Sequence, residues 1–194
     1  MQLDSSIVKA IFKNLSFSKE EIKNIESVFH KVEYKKGEQL LKANEKGNIQ
    51  YYVLEGCLRL YYVDSNGKDH TVQFAVNDWW ISDATAFFNN TKAILNIEAI
   101  SNTIVYELSK KDRDALYKQI PKIESFFRKK LERAFASFQK RTIINLSQSA
   151  AERYTNFINT YPNIEVHLKN YHIASYLGIT TESLSRIRKE LVNN

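Results

Sequence analysis

Between His30 and Leu108 the chain runs on a period of two, and this constrains the fold more than any other feature. Val32 and Tyr34 lead to Lys36-Gly37, and Tyr52-Val53-Leu54 leads to Glu55-Gly56. Leu58, Leu60 and Tyr62 then alternate with Arg59 and Tyr61, and Val72, Phe74 and Val76 alternate again. Ile97–Ile100 and Thr103–Leu108 supply later strands. Successive side chains on a strand point to opposite faces, so this pattern buries its apolar half only in a sheet. Asp64-Ser65-Asn66-Gly67 is a hairpin signal, because Asn-Gly accepts positive φ at both central positions. Many short strands broken by regular turns predict a jelly roll or barrel.

Helical spacing flanks this region. Over residues 4–29, Ile7, Ala10, Ile11 and Leu15 make one stripe, and Ser18 before Lys19-Glu20-Glu21 reads as a capping box opening a helix with Ile22, Ile25 and Phe29 inward. Residues 112–146 carry a long helix, with Pro121 as a first-turn residue or a kink. Within it Glu124, Phe127, Leu131, Ala134, Phe138, Arg141 and Asn145 recur at alternating spacings of three and four, a coiled-coil-like seam. Phe126 and Phe135 widen the stripe, so the helix can face both its own barrel and a partner. The expected dimer interface is Phe127, Leu131, Ala134 and Phe138; burial inside one monomer is the alternative. Ser149–Thr160 is a further helix with Ala151, Tyr154, Phe157 and Ile158 inward, and Ile164–Leu168 reads as a short strand.

The last stretch, Tyr171–Leu191, reads as two short helices around a tight turn. Ile173, Ala174 and Leu177 share one face, and small Ala174 allows close helix–helix approach. Gly178 follows where a left-handed residue is cheapest for glycine, Ile179 plugs the gap, and Thr180 caps the second helix. Leu184, Ile187 and Leu191 form its inward stripe. Thr181, Glu182, Ser185, Arg186 and Lys189 share the other face, and such side chains can read base edges and bind phosphates in a major groove. The plainer alternative is an αα-hairpin in which Glu182 and Arg186 form an i,i+4 ion pair.

ASYLGITTESLSRIRKEL resembles the helix-turn-helix of the Crp-Fnr family of bacterial transcription regulators, including the Gly-x-Thr turn and the Ser-Arg pair. The resemblance implies base contacts from Thr181, Glu182, Ser185 and Arg186, and backbone contacts from Lys169, Tyr171, Thr180 and Ser183, to which Lys189 is added from its place on the outward face. Family members usually differ where Thr181 stands, so no operator sequence is implied. YKKGEQLLKANEKGNIQYYVLEGCLRLYYVDSNGK is similar to the opening of the cyclic-nucleotide-binding fold, with Gly37, Gly56 and Gly67 at its strand turns. That fold holds ligand through a phosphate-binding cassette, which falls on Ser82, Asp83 and Ala84 and on Lys92, Ala93 and Ile94. The family's Gly-Glu pair is Ser82-Asp83 here, and its Arg-Ser pair is Ala93-Ile94. Without the arginine there is no bidentate donor to a cyclic phosphate, and Lys92 offers only a point charge. Trp79, Trp80, Phe87 and Phe88 either line an apolar effector pocket or form core.

Charge follows the same division. Residues 1–116 hold 15 Lys+Arg against 16 Asp+Glu, whereas residues 117–194 hold 13 against 6, so the positive charge lies in the C-terminal part of the chain, which carries the helix-turn-helix. A Lys/Arg-rich surface kept for solubility is the competing explanation. Cys57 is the only cysteine, which excludes internal disulfides and thiolate metal sites. His30, His70, His167 and His172 are scattered without metal-ligand spacing, and no Walker loop, Gly-x-Ser-x-Gly or dinucleotide fingerprint occurs. No membrane span or secretion signal is evident, so a reducing cytoplasm is expected.

The expectation is therefore an α+β protein and not an enzyme: an N-terminal jelly-roll sensor over residues 1–116, a dimerisation helix over 117–146, and a helix-turn-helix over 147–194 with a reduced wing. It would bind a palindromic operator in double-stranded DNA as a homodimer. It would need no cofactor, metal or membrane, and would not respond to cyclic AMP. RNA polymerase is a further partner such a regulator meets, and the effector is left open. The alternative is a small-molecule-binding or cupin-like barrel whose C-terminal helices only oligomerise it.

Overall fold

The computed structural model describes residues 6–162 and 164–192. The chain divides into two compact units, Met1–Tyr62 with Val72–Ser125, and Val63–Thr71 with Phe126–Asn194.

The first unit opens with α1 (Ser6–Ile11) and α2 (Lys19–Val28). The Ser18–Glu21 capping box is formed in both directions, and Ile22, Ile25 and Phe29 are buried as the spacing predicts. α1 ends at Ile11, so Phe12 rather than Leu15 completes its buried side. The strands follow as β1 (His30–Tyr34), β2 (Gln39–Leu41), β3 (Ile49–Glu55), β4 (Leu58–Val63), β5 (Asp69–Ala75) and β6 (Trp80–Ile81). After α3 (Ala84–Asn89) come β7 (Asn96–Ala99) and β8 (Thr103–Ser109). They form two four-stranded sheets, ordered β1-β8-β3-β6 and β2-β7-β4-β5, and the jelly roll read from the alternation is present. Leu41, Tyr51, Val53, Leu58, Leu60, Ile97, Ala99 and Val105 fill the space between them.

Alternation misjudges the far side of β4. Arg59 and Tyr61 lie opposite the filled interior, yet Arg59 is 2% exposed. Its guanidinium donates to Glu98 Oε1 at 2.9 Å and lies 4.3 Å from the Tyr61 ring centroid, so a buried charge is paired. The β4–β5 turn also differs from expectation. Only Gly67 has positive φ, and Gly67 N donates to Asp64 O at 3.0 Å, as in a type I turn closed by a left-handed glycine. The Asp64 carboxylate accepts from Asn66 N and Lys68 N, which selects this turn over one that is left-handed at both residues.

The expected single helix over 112–146 is two: α4 (Lys110–Gln119) and α5 (Pro121–Ser147). Pro121 is the first residue of α5, and Ile120 before it takes φ −136° and ψ 80°. The proline ring excludes the helical region for its predecessor, so the chain must break there. α5 runs from the first unit into the second.

In the second unit α6 (Ala150–Thr160) is capped by a Ser149–Glu152 box, followed by a 3-10 turn (Ile164–Val166), α7 (Asn170–Leu177) and α8 (Thr181–Val192). Tyr154, Phe157, Tyr161, Ile173, Ala174, Leu177, Leu184 and Ile187 make its core. The segment read as a strand at Ile164–Leu168 holds this 3-10 turn, and among the described residues no strand follows β8. Ile164 is buried but Val166 is 79% exposed, so the alternation has no second strand to pair with.

Two glycines share positive φ but differ in surroundings. A Cβ at Gly56 (φ +96°) would lie 2.5 Å from Asn102 O, whereas one at Gly37 (φ +88°) meets nothing within 4 Å. Gly37→Ala should cost about 1 kcal/mol of backbone strain, and Gly56→Ala about 3 kcal/mol or more because a backbone atom must also move. Urea unfolding of both variants measures the difference.

Candidate nucleic-acid interface

The helix-turn-helix expected at Tyr171–Leu191 is built by α7 and α8. Gly178 ends α7 at φ 67°, with its N–H donating back to Ala174 O and Ser175 O. Ser183 N donates to Thr180 Oγ1 at 3.2 Å, so Thr180 caps α8. Its hydroxyl is thereby drawn into the helix start while the residue stays exposed. Leu184 and Ile187 turn inward, opposite the Ile173, Ala174 and Leu177 face of α7. Leu191, expected on the inward stripe, is 45% exposed. Arg188, four residues after buried Leu184, takes the inner side in its place.

On the outer side Glu182, Ser185, Arg186 and Lys189 are exposed, with Thr181 and Ser183 half-buried. No ion pair joins Glu182 to Arg186 among the described residues, so the plainer αα-hairpin reading loses its expected contact. The Glu182 carboxyl is held below the usual carboxylate range by its own backbone N–H and by the Thr180 and Thr181 hydroxyls. A carboxylate gathered at a helix N-terminus is in its favoured place, which leaves the Arg186 guanidinium available to a ligand. Ser185 Oγ donates to Thr181 O at 3.0 Å. Lys169 precedes α7, its ammonium 5.8 Å from the centroid of the exposed Tyr171 ring. All nine residues expected to touch DNA thus lie on the two helices, in the turn between them or just before α7.

Arg188 was not among them. Its Nε donates to Tyr154 Oη at 3.0 Å, its Nη1 to Asn170 Oδ1 at 2.7 Å and its Nη2 to Glu165 Oε1 at 2.5 Å. Helical spacing from Leu184 was the available signal, but an arginine in a basic motif reads as surface until its partners are placed.

On α5, Leu131, Phe135 and Phe138 are 53%, 61% and 63% exposed, and Ala134, Ile143 and Leu146 are exposed too. Phe127 departs from the expected interface, being 9% exposed within the chain's own fold. Arg141 also leaves the seam, with its guanidinium 4.0 Å from the Tyr176 ring centroid on α7. Of the three-four repeat, Leu131, Ala134 and Phe138 are the apolar members left open.

The cassette is closed by its own backbone. Asp83 is 1% exposed and accepts from Ala86 N at 3.1 Å, Ile94 N at 2.8 Å and Leu95 N at 3.0 Å. Its carboxylate caps α3 and ties down the loop before β7. Ala93 N donates to Glu45 O and Ala93 O accepts from Asn44 N, both at 2.8 Å. A Cβ on Gly47 would come within 2.5 Å of Ala86 Cβ and 3.5 Å of Ala93 Cβ, so the strand turn lies against the cassette. Ser82 and Ala84 flank the capping carboxylate, Lys92 is exposed and forms an isolated backbone bridge with Lys46, and Ile94 is exposed. Of the four aromatics, Phe87 is core and Phe88 is exposed, both within 5.5 Å of the buried Arg113 guanidinium, while Trp79 and Trp80 are half-buried. Among the described residues no His/Cys/Asp/Glu cluster could hold a metal ion, and no helix is long and apolar enough to cross a membrane.

Comparison with known proteins agrees with this architecture. Residues 31–120 match the cyclic nucleotide-binding domain family. Among solved structures, FixK2 from Bradyrhizobium japonicum superposes with a TM-score of 0.74 at 18% identity, covering 86% of this chain and 85% of that one. The c-di-GMP responsive global regulator CLP of Xanthomonas campestris gives 0.71 at 11% identity, over 91% and 92%. A putative Crp/Fnr-family regulator from Eubacterium rectale gives 0.69 at 18%, over 91% and 85%. No curated protein matches the chain. Residues 31–120 thus resemble the cyclic nucleotide-binding domain family, and over most of its length the chain has the fold of these solved regulators.

Proposed function

We propose that this protein is a sequence-specific DNA-binding transcription regulator that acts as a homodimer on a palindromic operator in the cytoplasm. One observation carries the reading: α8 is capped, backed by α7, and turns Glu182, Ser185 and Arg186 outward, with no ion pair between Glu182 and Arg186. An exposed helix face of that chemistry fits a major groove, where arginine meets guanine and a carboxylate accepts from cytosine. Lys169, Tyr171, Thr180, Ser183 and Lys189 are the backbone contacts in this reading, and they set register without reading sequence. RNA polymerase would be met by the bound dimer.

The test separates the two kinds of contact. Arg186→Ala should cost about 1–3 kcal/mol on a specific site and relax preference at one base pair. Lys169→Ala should weaken all sequences alike and flatten the salt dependence by about one unit of slope. Fluorescence anisotropy across a salt series distinguishes them, and a natively folded Arg186→Ala protein with intact specific affinity would defeat the assignment.

The second copy is inferred from α5. Its apolar row over residues 131–146 is open to solvent, and two recognition helices need a fixed separation to read a two-fold operator. Phe138→Glu would place a charge in that seam at a cost of several kcal/mol, so monomers with weak half-site binding are expected. Sedimentation showing an unchanged dimer would put the interface elsewhere.

Cyclic AMP is not the effector in this reading. A cyclic phosphate must exchange water for charge-assisted hydrogen bonds, whereas Ala93 and Ile94 already spend their N–H groups within the protein. Lys92 is exposed, and its charge alone lacks the arginine fork. Missing a buried charged partner costs about 3–5 kcal/mol, enough to weaken a micromolar site several-hundredfold. Calorimetry with cyclic AMP and cyclic GMP should show no saturable heat at low micromolar ligand; binding abolished by Lys92→Ala would refute this.

A further inference from the structure

Of the three cations on α8, Arg186 and Lys189 are exposed while Arg188 is half-buried and turned back into its own unit. Its guanidinium donates in three directions to three elements: Tyr154 on α6, Glu165 in the 3-10 turn, and Asn170 at the start of α7. Tyr154 Oη in turn donates to the same Glu165 oxygen at 2.8 Å, so arginine, phenol and carboxylate close a ring. We propose that Arg188 is a positioning residue for the recognition helix, fixing its rotation and depth without contacting nucleic acid. This rests on the DNA-binding reading above.

The need for such a residue follows from how α8 is held. Only Leu184 and Ile187 of its described residues are buried, and they lie within one turn of each other. Leu191 and Val192 at the C-terminal end are exposed and supply no anchor. A twelve-residue helix pinned at a single turn can rock and roll about that point. Base readout tolerates roughly half an ångström of error, so the pivot needs a second, directional constraint. Arg188 lies immediately beyond the apolar pin, and its planar fork fixes angles that a lysine ammonium would leave free. The ring also changes the charge count of the motif. Glu165 neutralises Arg188, so the field meeting phosphates comes from Arg186, Lys189 and Lys169.

The experiment uses the full chain with Arg188→Gln, Arg188→Lys and Glu165→Ala. Affinity is measured across a salt series for the duplex the wild type selects from a randomised pool, and for a scrambled duplex of equal composition. Arg188→Gln should lower the ratio of selected to scrambled affinity by about tenfold or more while leaving both salt slopes unchanged. Arg188→Lys should show a similar loss although the charge is kept. Glu165→Ala should lose specificity too, although removing a negative charge would by itself tighten DNA binding. Three outcomes overturn the proposal. The first is Arg188→Gln weakening both duplexes with a slope smaller by about one, which marks a phosphate contact. The second is Arg188→Lys or Glu165→Ala keeping the wild-type ratio. The third is both affinities falling in proportion to an unfolded fraction seen by circular dichroism, which marks a purely structural role. A wild-type protein that selects no sequence would instead defeat the DNA-binding reading itself.

Discussion

The contact between α7 and α8 is the constraint on which the C-terminal unit depends. Two short helices can present a polar face outward only if their apolar faces close on each other. Ala174 keeps that approach tight, and Gly178 lets the chain reverse at once. Thr180 then starts α8 in a defined register, which decides that Leu184 and Ile187 point in while Glu182, Ser185 and Arg186 point out. With one fewer residue in the turn, every later side chain on α8 would rotate by about 100°, and the outward face would be a different set. The chemistry offered to a ligand is thus a consequence of turn geometry.

In the barrel, one buried carboxylate organises a loop. Three backbone N–H groups converge on Asp83, from Ala86, Ile94 and Leu95. Burying a carboxylate is tolerable only with such partners, and here they tie the start of α3 to the segment that leads into β7. Gly47, Ala86 and Ala93 pack at distances that admit no larger side chain without movement. These residues support one another: small side chains bring the loops together, and the closed loops satisfy the carboxylate.

α5 illustrates a pattern serving two ends. Pro121 forces a new helix start, so the helix carries a three-four repeat from its first turn. Phe127 is spent inside the monomer, while Leu131, Ala134 and Phe138 of the same repeat stay open. A repeat alone cannot say where the inner partner ends and an outer one begins.

Sequence by itself was enough for the elements whose causes are local. The period-two run, the capping boxes at Ser18 and Ser149, the left-handed glycines and the Gly178–Thr180 turn are all set by neighbours a few residues away. Local causes also brought the candidate base-contacting residues to one helix face. Tertiary structure decided whatever depended on distant partners. It buried Arg59 against Glu98 on a face that alternation reads as solvent, and it made a 3-10 turn of a strand-like segment that had no strand to pair with. It also spent Asp83 on backbone N–H groups and turned half-buried Arg188 back onto Tyr154, Glu165 and Asn170 of its own unit. The physical reason is the same each time. A charged side chain is written into the sequence as a charge, but whether that charge faces water, a ligand or a buried partner depends on groups brought near it only by the fold.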